Sequence, residues 1–225
     1  MERQNNMKKY LTKEMIKRIV LMLIGVFFMG VGVQFLNRTN LGPDPFSAMN
    51  YGFAAMCGIS FGTFQLLFNA VLFLIVLLKD WKLFGLGTIG NMVIVGYSAD
   101  FTGWVVDKLG FMPAAEELTV GMKIGIMIPT LILFLFAAAL YMNCGLGTSP
   151  YDALPLLLHR GIEKAAKKQI PYKFVRMLYD GIATIVALLV GGTVGVVTVL
   201  MVFTLGPCVD FVSGLVKKSG IFDTK

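Results

Sequence analysis

Arg176 and Asp180 stand four residues apart in an otherwise apolar run, so on a helix they share a face and can pair. An ionisable group about nine residues into such a run would sit near the middle of a hydrocarbon layer, where insertion costs roughly 2.5–3.5 kcal/mol. Such a pair serves either as a substrate or proton site or as an ion pair that only holds helices together. Asn69 falls at the matching depth of an earlier apolar run and joins the two as a candidate substrate-binding residue. Asp44-Pro45 and Ser149-Pro150 each set a capping side chain directly before a proline, the pattern of a helix start. The unpaired N–H groups and positive ends of two such helices would suit an anion or the acceptor end of a neutral solute. Asp44 and Ser149 therefore complete the candidate binding set, with Gly42, Pro45, Gly147 and Pro150 shaping the helix starts. Asp100 and Asp210 each lie shortly after a glycine and near the end of an apolar run, where they would act as gates or as caps on nearby loop backbone.

Other chemistry finds little support. Cys57, Cys144 and Cys208 are far apart, and the single His159 has no second ligand at metal spacing, so neither disulfide, metal nor other cofactor is expected. No nucleophile and base stand together, which argues against an enzyme.

The elements that must position these residues follow from composition. Of 225 residues 56% are hydrophobic and 15% charged, against roughly 45–50% and 25% in soluble domains. Runs at 19–36, 61–78, 83–106, 124–142, 172–190 and 193–216 approach the ~20 residues a membrane-crossing helix needs. Two further apolar pieces, 45–57 and 150–159, are too short to cross. The expected fold is an all-α integral membrane protein with six transmembrane helices and two short non-crossing ones. The net charge of +7 comes from lysines and arginines clustered beside apolar runs, so it reads as a topology signal and not as a nucleic-acid surface. With both termini cytoplasmic, 16 Lys and Arg fall inside and 3 outside. The same tally results if both short pieces cross, so length alone decides for six spans.

The segment 41–49 recurs at 146–154, an offset of 105 residues, as Leu-Gly-Pro-Asp-Pro-Phe-Ser-Ala-Met and Leu-Gly-Thr-Ser-Pro-Tyr-Asp-Ala-Leu. At that offset Gly87-Thr88-Ile89-Gly90 also matches Gly192-Thr193-Val194-Gly195. At 110 residues Gly96, Asp100 and Phe101 match Gly206, Asp210 and Phe211, and Leu67-Phe68-Asn69 aligns with Leu178-Tyr179-Asp180. Three crossings per copy force the second copy to be inverted, an arrangement many secondary transporters share. The expected division is a basic cytoplasmic segment at 1–18, a first membrane repeat at 19–110, a connecting loop at 111–123, a second repeat at 124–216 and a cytoplasmic tail at 217–225.

The Gly-Leu-Gly-x-x-Pro-aromatic start of the second copy, the Gly-Thr-x-Gly and the Gly-Pro-x-x-Asp-Phe element resemble the bacterial YczE/YyaS/YitT membrane proteins. The chain departs from that pattern in its lysine-rich connection at 163–173 and in Pro43-Asp44 of the first copy. The resemblance implies a multi-pass protein of the bacterial cytoplasmic membrane and names no substrate.

The function these residues favour is a small-solute transporter or channel-like permease, with an anionic or neutral solute between the repeats. Its partners would be the lipid bilayer, that solute and a second copy in a homodimer. The rival is an accessory or scaffold protein that stabilises a partner complex. The two short helices either converge on one site near the midplane or lie as interfacial anchors at opposite faces, and sequence leaves both open.

Overall fold

Capping side chains place most helix starts where the sequence pattern asks for them. In the computed structural model, which describes residues 13–219 and 221–222, Asp44 accepts the Ser47 N–H at 3.1 Å and Ser149 accepts that of Asp152 at 3.1 Å. Ser60 and Thr119 cap in the same way. Gly58 and Gly110 end their helices at φ 65° and 61°, in the left-handed region glycine adopts most easily. The eight α-helices among the described residues are α1 (Lys13–Arg38), α2 (Pro45–Cys57), α3 (Phe61–Asp80), α4 (Leu86–Leu109), α5 (Val120–Asn143), α6 (Pro150–Ala166), α7 (Tyr172–Leu189) and α8 (Val196–Lys218). A short 3-10 turn, Trp81–Leu83, follows α3, and there is no strand among the described residues.

Small residues set the directions in which helices pack. A Cβ at Gly90 would stand 2.7 Å from the Met22 sulfur, one at Gly30 would overlap Ser98 and Val95, and one at Gly103 would stand 2.7 Å from Gln34. Both helices advance together through these contacts, so α1 and α4 are parallel. Gly25 meets Ala137 and Tyr141 while Gly32 meets Phe134, so α5 runs antiparallel to α1. The core joins α1, α4, α5 and α8 around Val33, Leu36, Ala99, Phe134, Val197 and Met201. A second core lies between α2, α3, α6 and α7, around Phe46, Met49, Leu72, Tyr151, Ala183 and Ala187.

The two cores are tied by a pair of matching crossovers. Gly87 N–H donates to the Leu146 carbonyl at 2.7 Å, and Val197 N–H donates to that of Leu41 at 3.0 Å. The Thr88 hydroxyl donates to Thr148 O at 2.8 Å, and the Thr198 hydroxyl donates to Pro43 O at 2.7 Å. Each threonine also accepts the N–H at its own helix start, Gly85 or Gly195. The structural counterpart of Thr88 is therefore Thr198. This corrects the pairing of Gly87-Thr88-Ile89-Gly90 with 192–195, which is out of register with the tertiary contacts. The register drifts because α6 extends to Ala166 instead of stopping near residue 159 and so lengthens the second half. His159 and Glu163 hold that extension to the connection behind it: the ring Nε2–H donates to Ile170 O and the carboxylate accepts the Ile170 N–H. The short piece expected at 150–159 thus continues as helix to Ala166, into the lysine-rich connection at 163–173.

Apolar side chains cover the periphery, Leu67, Val71, Leu74 and Leu78 on α3 and Ile182, Ile185 and Leu189 on α7 among them. Four stretches are long and apolar enough to cross a membrane: Lys13–Arg38, Phe61–Leu83, Val120–Asn143 and Val196–Lys218. The segments of the other two expected spans are helical, as α4 and α7, but are less uniformly apolar. Asn91, Asp100 and Asp107 interrupt α4, and Lys173, Arg176 and Asp180 interrupt α7.

Candidate functional site

Arg176 is the hub of the charged groups in the interior. Its position on the second turn of α7 places Asp180 one turn later on the same face. The guanidinium donates through Nε to Asp180 at 2.8 Å and through a terminal nitrogen to Asp152 at 2.6 Å. Asp180 is 1% exposed, and its second oxygen accepts the Tyr151 hydroxyl at 2.8 Å. The guanidinium also stands over the Tyr151 ring, 5.5 Å from its centroid. Asp152 in turn accepts the Ser149 hydroxyl at 2.6 Å. Ser149, Tyr151, Asp152, Arg176 and Asp180 thus form one continuous hydrogen-bonded network, and none of its charges is left unpaired.

The starts of the two short helices meet at this network. Phe46 and Tyr151, each two residues past its cap, stack with ring centroids 4.1 Å apart. Phe68 then packs on Phe46 at 6.1 Å and Tyr179 on Tyr151 at 4.7 Å. Asp44 is within electrostatic range of both Asp152 and Asp180. A contact this close is incompatible with the two helices resting at opposite faces of a hydrocarbon layer about 30 Å thick. Asp44 and Ser149 each satisfy one donor of their own helix end from within, that of Ser47 and that of Asp152. Two carboxylates, Asp152 and Asp180, already occupy the single guanidinium here, which disfavours an anion unless it displaces one of them.

Asn69 differs sharply from its counterpart Asp180. It is 0% exposed, and neither end of its carboxamide has a hydrogen-bond partner among the described residues. Where Asp180 receives the Tyr151 hydroxyl, Asn69 receives none among the described residues. The structure therefore brings Ser149, Arg176 and Asp180 into one network, sets Asp44 at the start of the helix whose Phe46 stacks on Tyr151, and gives Asn69 no bond to any of them.

Asp100 is the cap foreseen for it: its carboxylate accepts the Gly62 N–H at 2.9 Å and fixes the start of α3. Asp210 is exposed on α8 and caps no backbone group among the described residues. Asp100 also lines an open cleft of about 500 Å³ between the ends of α1, α2, α3 and α4, with Gln34, Arg38, Tyr51, Phe61 and Trp104. Arg38 pairs with Asp107 across its rim.

Sequence reasoning missed Tyr151 and Asp152 as site residues. Both lie in the repeated segment, three or fewer positions after the cap, and a tyrosine and an aspartate one turn into a buried helix are the available signal. The cleft residues Gln34 and Tyr51 had no comparable signal, since their hydrogen bond joins different helices.

Comparison with known proteins agrees with this membrane-type architecture. An uncharacterized protein of Haemophilus influenzae is 27% identical over 203 residues, covering 90% of this chain and 86% of the relative. The uncharacterized protein YyaS of Bacillus subtilis is 25% identical over 182 residues, 80% of this chain and 84% of its own. The uncharacterized membrane protein YczE of the same organism is 23% identical over 152 residues, 65% of each chain. No solved structure matches. Residues 16–214 fit the sequence pattern of a family of unknown function, DUF6198, and the chain belongs to that family.

Proposed function

We propose that the protein is a small-solute permease of the bacterial cytoplasmic membrane and not an enzyme, built as an inverted 3+3 repeat. In this reading α1, α3, α4, α5, α7 and α8 cross, α2 and α6 dip in and return, and both termini are cytoplasmic. The parallel packing of α1 and α4 supports it. With α3 and α4 antiparallel, a crossing α2 would make α1 and α4 antiparallel too. The matching crossovers at Thr88 and Thr198 support the two-fold relation, since each half plays the same part toward the other.

The observation that carries the proposal is the stacking of Phe46 on Tyr151, which joins the two short helices beside the Arg176 network. Depth is consistent with it. Tyr51 donates to Gln34, which lies about 10 Å beyond the centre of the apolar part of α1 at 1.5 Å per residue. Asp44 lies seven residues back along α2, about the same distance inward. The solute site is then the central region around Asp44, Ser149, Asn69, Arg176 and Asp180, completed by Tyr151 and Asp152. Because Asp152 and Asp180 already occupy the Arg176 guanidinium, a neutral solute with both donors and acceptors fits better than a free anion.

The test is flux into liposomes holding the purified protein, measured by light scattering with a panel of small neutral and anionic solutes. Entry of one neutral class that Asp180→Asn abolishes is expected. Failure of every solute to move in vesicles with correctly folded protein would reject the permease and favour an accessory role.

A further inference from the structure

The open cleft between the ends of α1, α2, α3 and α4 lies apart from the Arg176 network and has polar groups of its own. Asp100, Gly103, Trp104 and Asp107 stand at helical spacing on one face of α4 and form one wall. Two side chains of α1 converge on Gly103 from across the cleft. The Arg38 guanidinium donates through Nη2 to the Gly103 carbonyl at 3.1 Å and to the Asp107 carboxylate. The Gln34 amide nitrogen is so near that a Cβ at Gly103 would stand 2.7 Å from it.

Each of these groups keeps an unused end. Gln34 is 9% exposed and its oxygen accepts the Tyr51 hydroxyl, but its amide nitrogen has no hydrogen bond among the described residues. A donor held this deep is costly unless an acceptor comes to it. Arg38 uses Nη2 alone, and its other terminal nitrogen, Nη1, is without a partner among the described residues. Asp100, nearly one turn before Gly103, gives one oxygen to the Gly62 N–H at 2.9 Å and leaves the other unused. It makes no ion pair among the described residues, since Arg38 is taken by Asp107 at the rim.

The two ends have opposite demands. Donors gathered at Gly103 suit an oxyanion, and the unpaired carboxylate of Asp100 suits an ammonium. A lone anion would face Asp100, and a lone cation would face the guanidinium, whereas a ligand carrying both charges satisfies both ends. Three residues of α4 separate them by about 4.5 Å along its axis. Ammonium and carboxylate on one carbon fit that spacing, each reaching its partner through a charged hydrogen bond of about 2.8 Å. Ala54, Ala55, Ile59, Phe61 and Trp104 supply apolar wall for a side chain, and about 500 Å³ is room enough for the whole molecule.

The geometry points to a binding site for a small zwitterion of the α-amino-acid type in this cleft, with its carboxylate on Arg38 and Gln34 and its ammonium on Asp100. The site is separate from the central network and does not rest on the permease reading. Thermal unfolding of the purified full chain in detergent tests it, with leucine set against isoamylamine and isocaproate, which each lack one of its charges. Leucine should raise the melting temperature saturably, by roughly 5–10 °C at a hundredfold excess over its dissociation constant, and each analogue should need at least about ten times the concentration. Asp100→Asn keeps an oxygen for the Gly62 N–H and removes the charge, so it should weaken leucine about tenfold or more and abolish its advantage over isocaproate. Gln34→Met should also weaken leucine about tenfold while keeping that advantage. A wild-type protein that answers an analogue as well as leucine, or answers none of the three, overturns the site. An Asp100→Asn protein that keeps the advantage over isocaproate, or a Gln34→Met protein with unchanged half-saturation, overturns it as well. Stabilisation by glycerophosphoethanolamine and not by leucine would make the cleft a lipid-headgroup site and overturn the amino-acid assignment. Binding is read without transport, so a leucine response without solute flux rejects the permease alone, and flux without a response rejects the cleft site alone.

Discussion

Removing Arg176 should harm the protein more than removing either of its partners. In Asp180→Asn the guanidinium keeps Asp152 at 2.6 Å, so one charged hydrogen bond weakens while no charge is stranded. That loss is worth about 1.5–3 kcal/mol. Arg176→Leu instead strands Asp180, which is 1% exposed, together with Asp152. Breaking a buried pair in this way costs about 3–5 kcal/mol, because the remaining charge is uncompensated. At about 2–4 °C per kcal/mol for a chain of this size, the expected losses are roughly 3–12 °C and 6–20 °C. The assay is thermal unfolding in detergent of both single variants and the double variant Arg176→Leu/Asp180→Asn. The double variant should lie above the sum of the singles, since neutralising Asp180 relieves part of what the leucine strands. Equal losses in the two single variants, or strict additivity, would show that the network does not carry the interior charge balance described here.

Thr88→Val and Thr198→Val each remove a hydroxyl bonded to a carbonyl of the opposite half, and each should cost about 1–3 kcal/mol. The two melting temperatures should fall alike, and a large difference would count against the equivalence of the crossovers. Phe46→Tyr supplies the hydroxyl that Asn69 lacks, by analogy with Tyr151 and Asp180, and should stabilise by about 1 kcal/mol in the same measurement. A single cysteine at Glu116 on a cysteine-free background should label from outside the cell and one at Lys79 should not; the reverse pattern would mean that α2 and α6 cross.

The helix starts were legible because Asp44-Pro45 and Ser149-Pro150 encode a local event, a side chain reaching its own helix. The ion pair of Arg176 and Asp180 was legible for the same reason, as it is one turn of one helix. Asp152 was not, because its partner comes from another helix and sequence spacing carries no such distance. The end of α6 was misjudged where charged residues after His159 look like a loop, although His159 and Glu163 tie the continuing helix to Ile170. The repeat register failed at Gly-Thr-x-Gly because a glycine-threonine identity outweighed the added length of α6. What places Thr88 opposite Thr198 is contact between halves, to which a one-dimensional offset is blind.

The crossovers at Thr88 and Thr198 also bear on how the chain is made. The Thr88 hydroxyl waits for a carbonyl 60 residues further along, and the Pro43 carbonyl waits for a hydroxyl 155 residues away. During synthesis the first half therefore reaches the bilayer with an unfinished α4 start and an unfilled loop at Leu41 to Pro43, polar backbone that lipid cannot satisfy. The second half arrives with the complementary deficit. Neither half is then expected to fold by itself, and assembly becomes a mutual completion that waits for α8. Two polypeptides divided in the connection at 111–119 should thus be unstable when expressed singly and recover a single stable particle when expressed together.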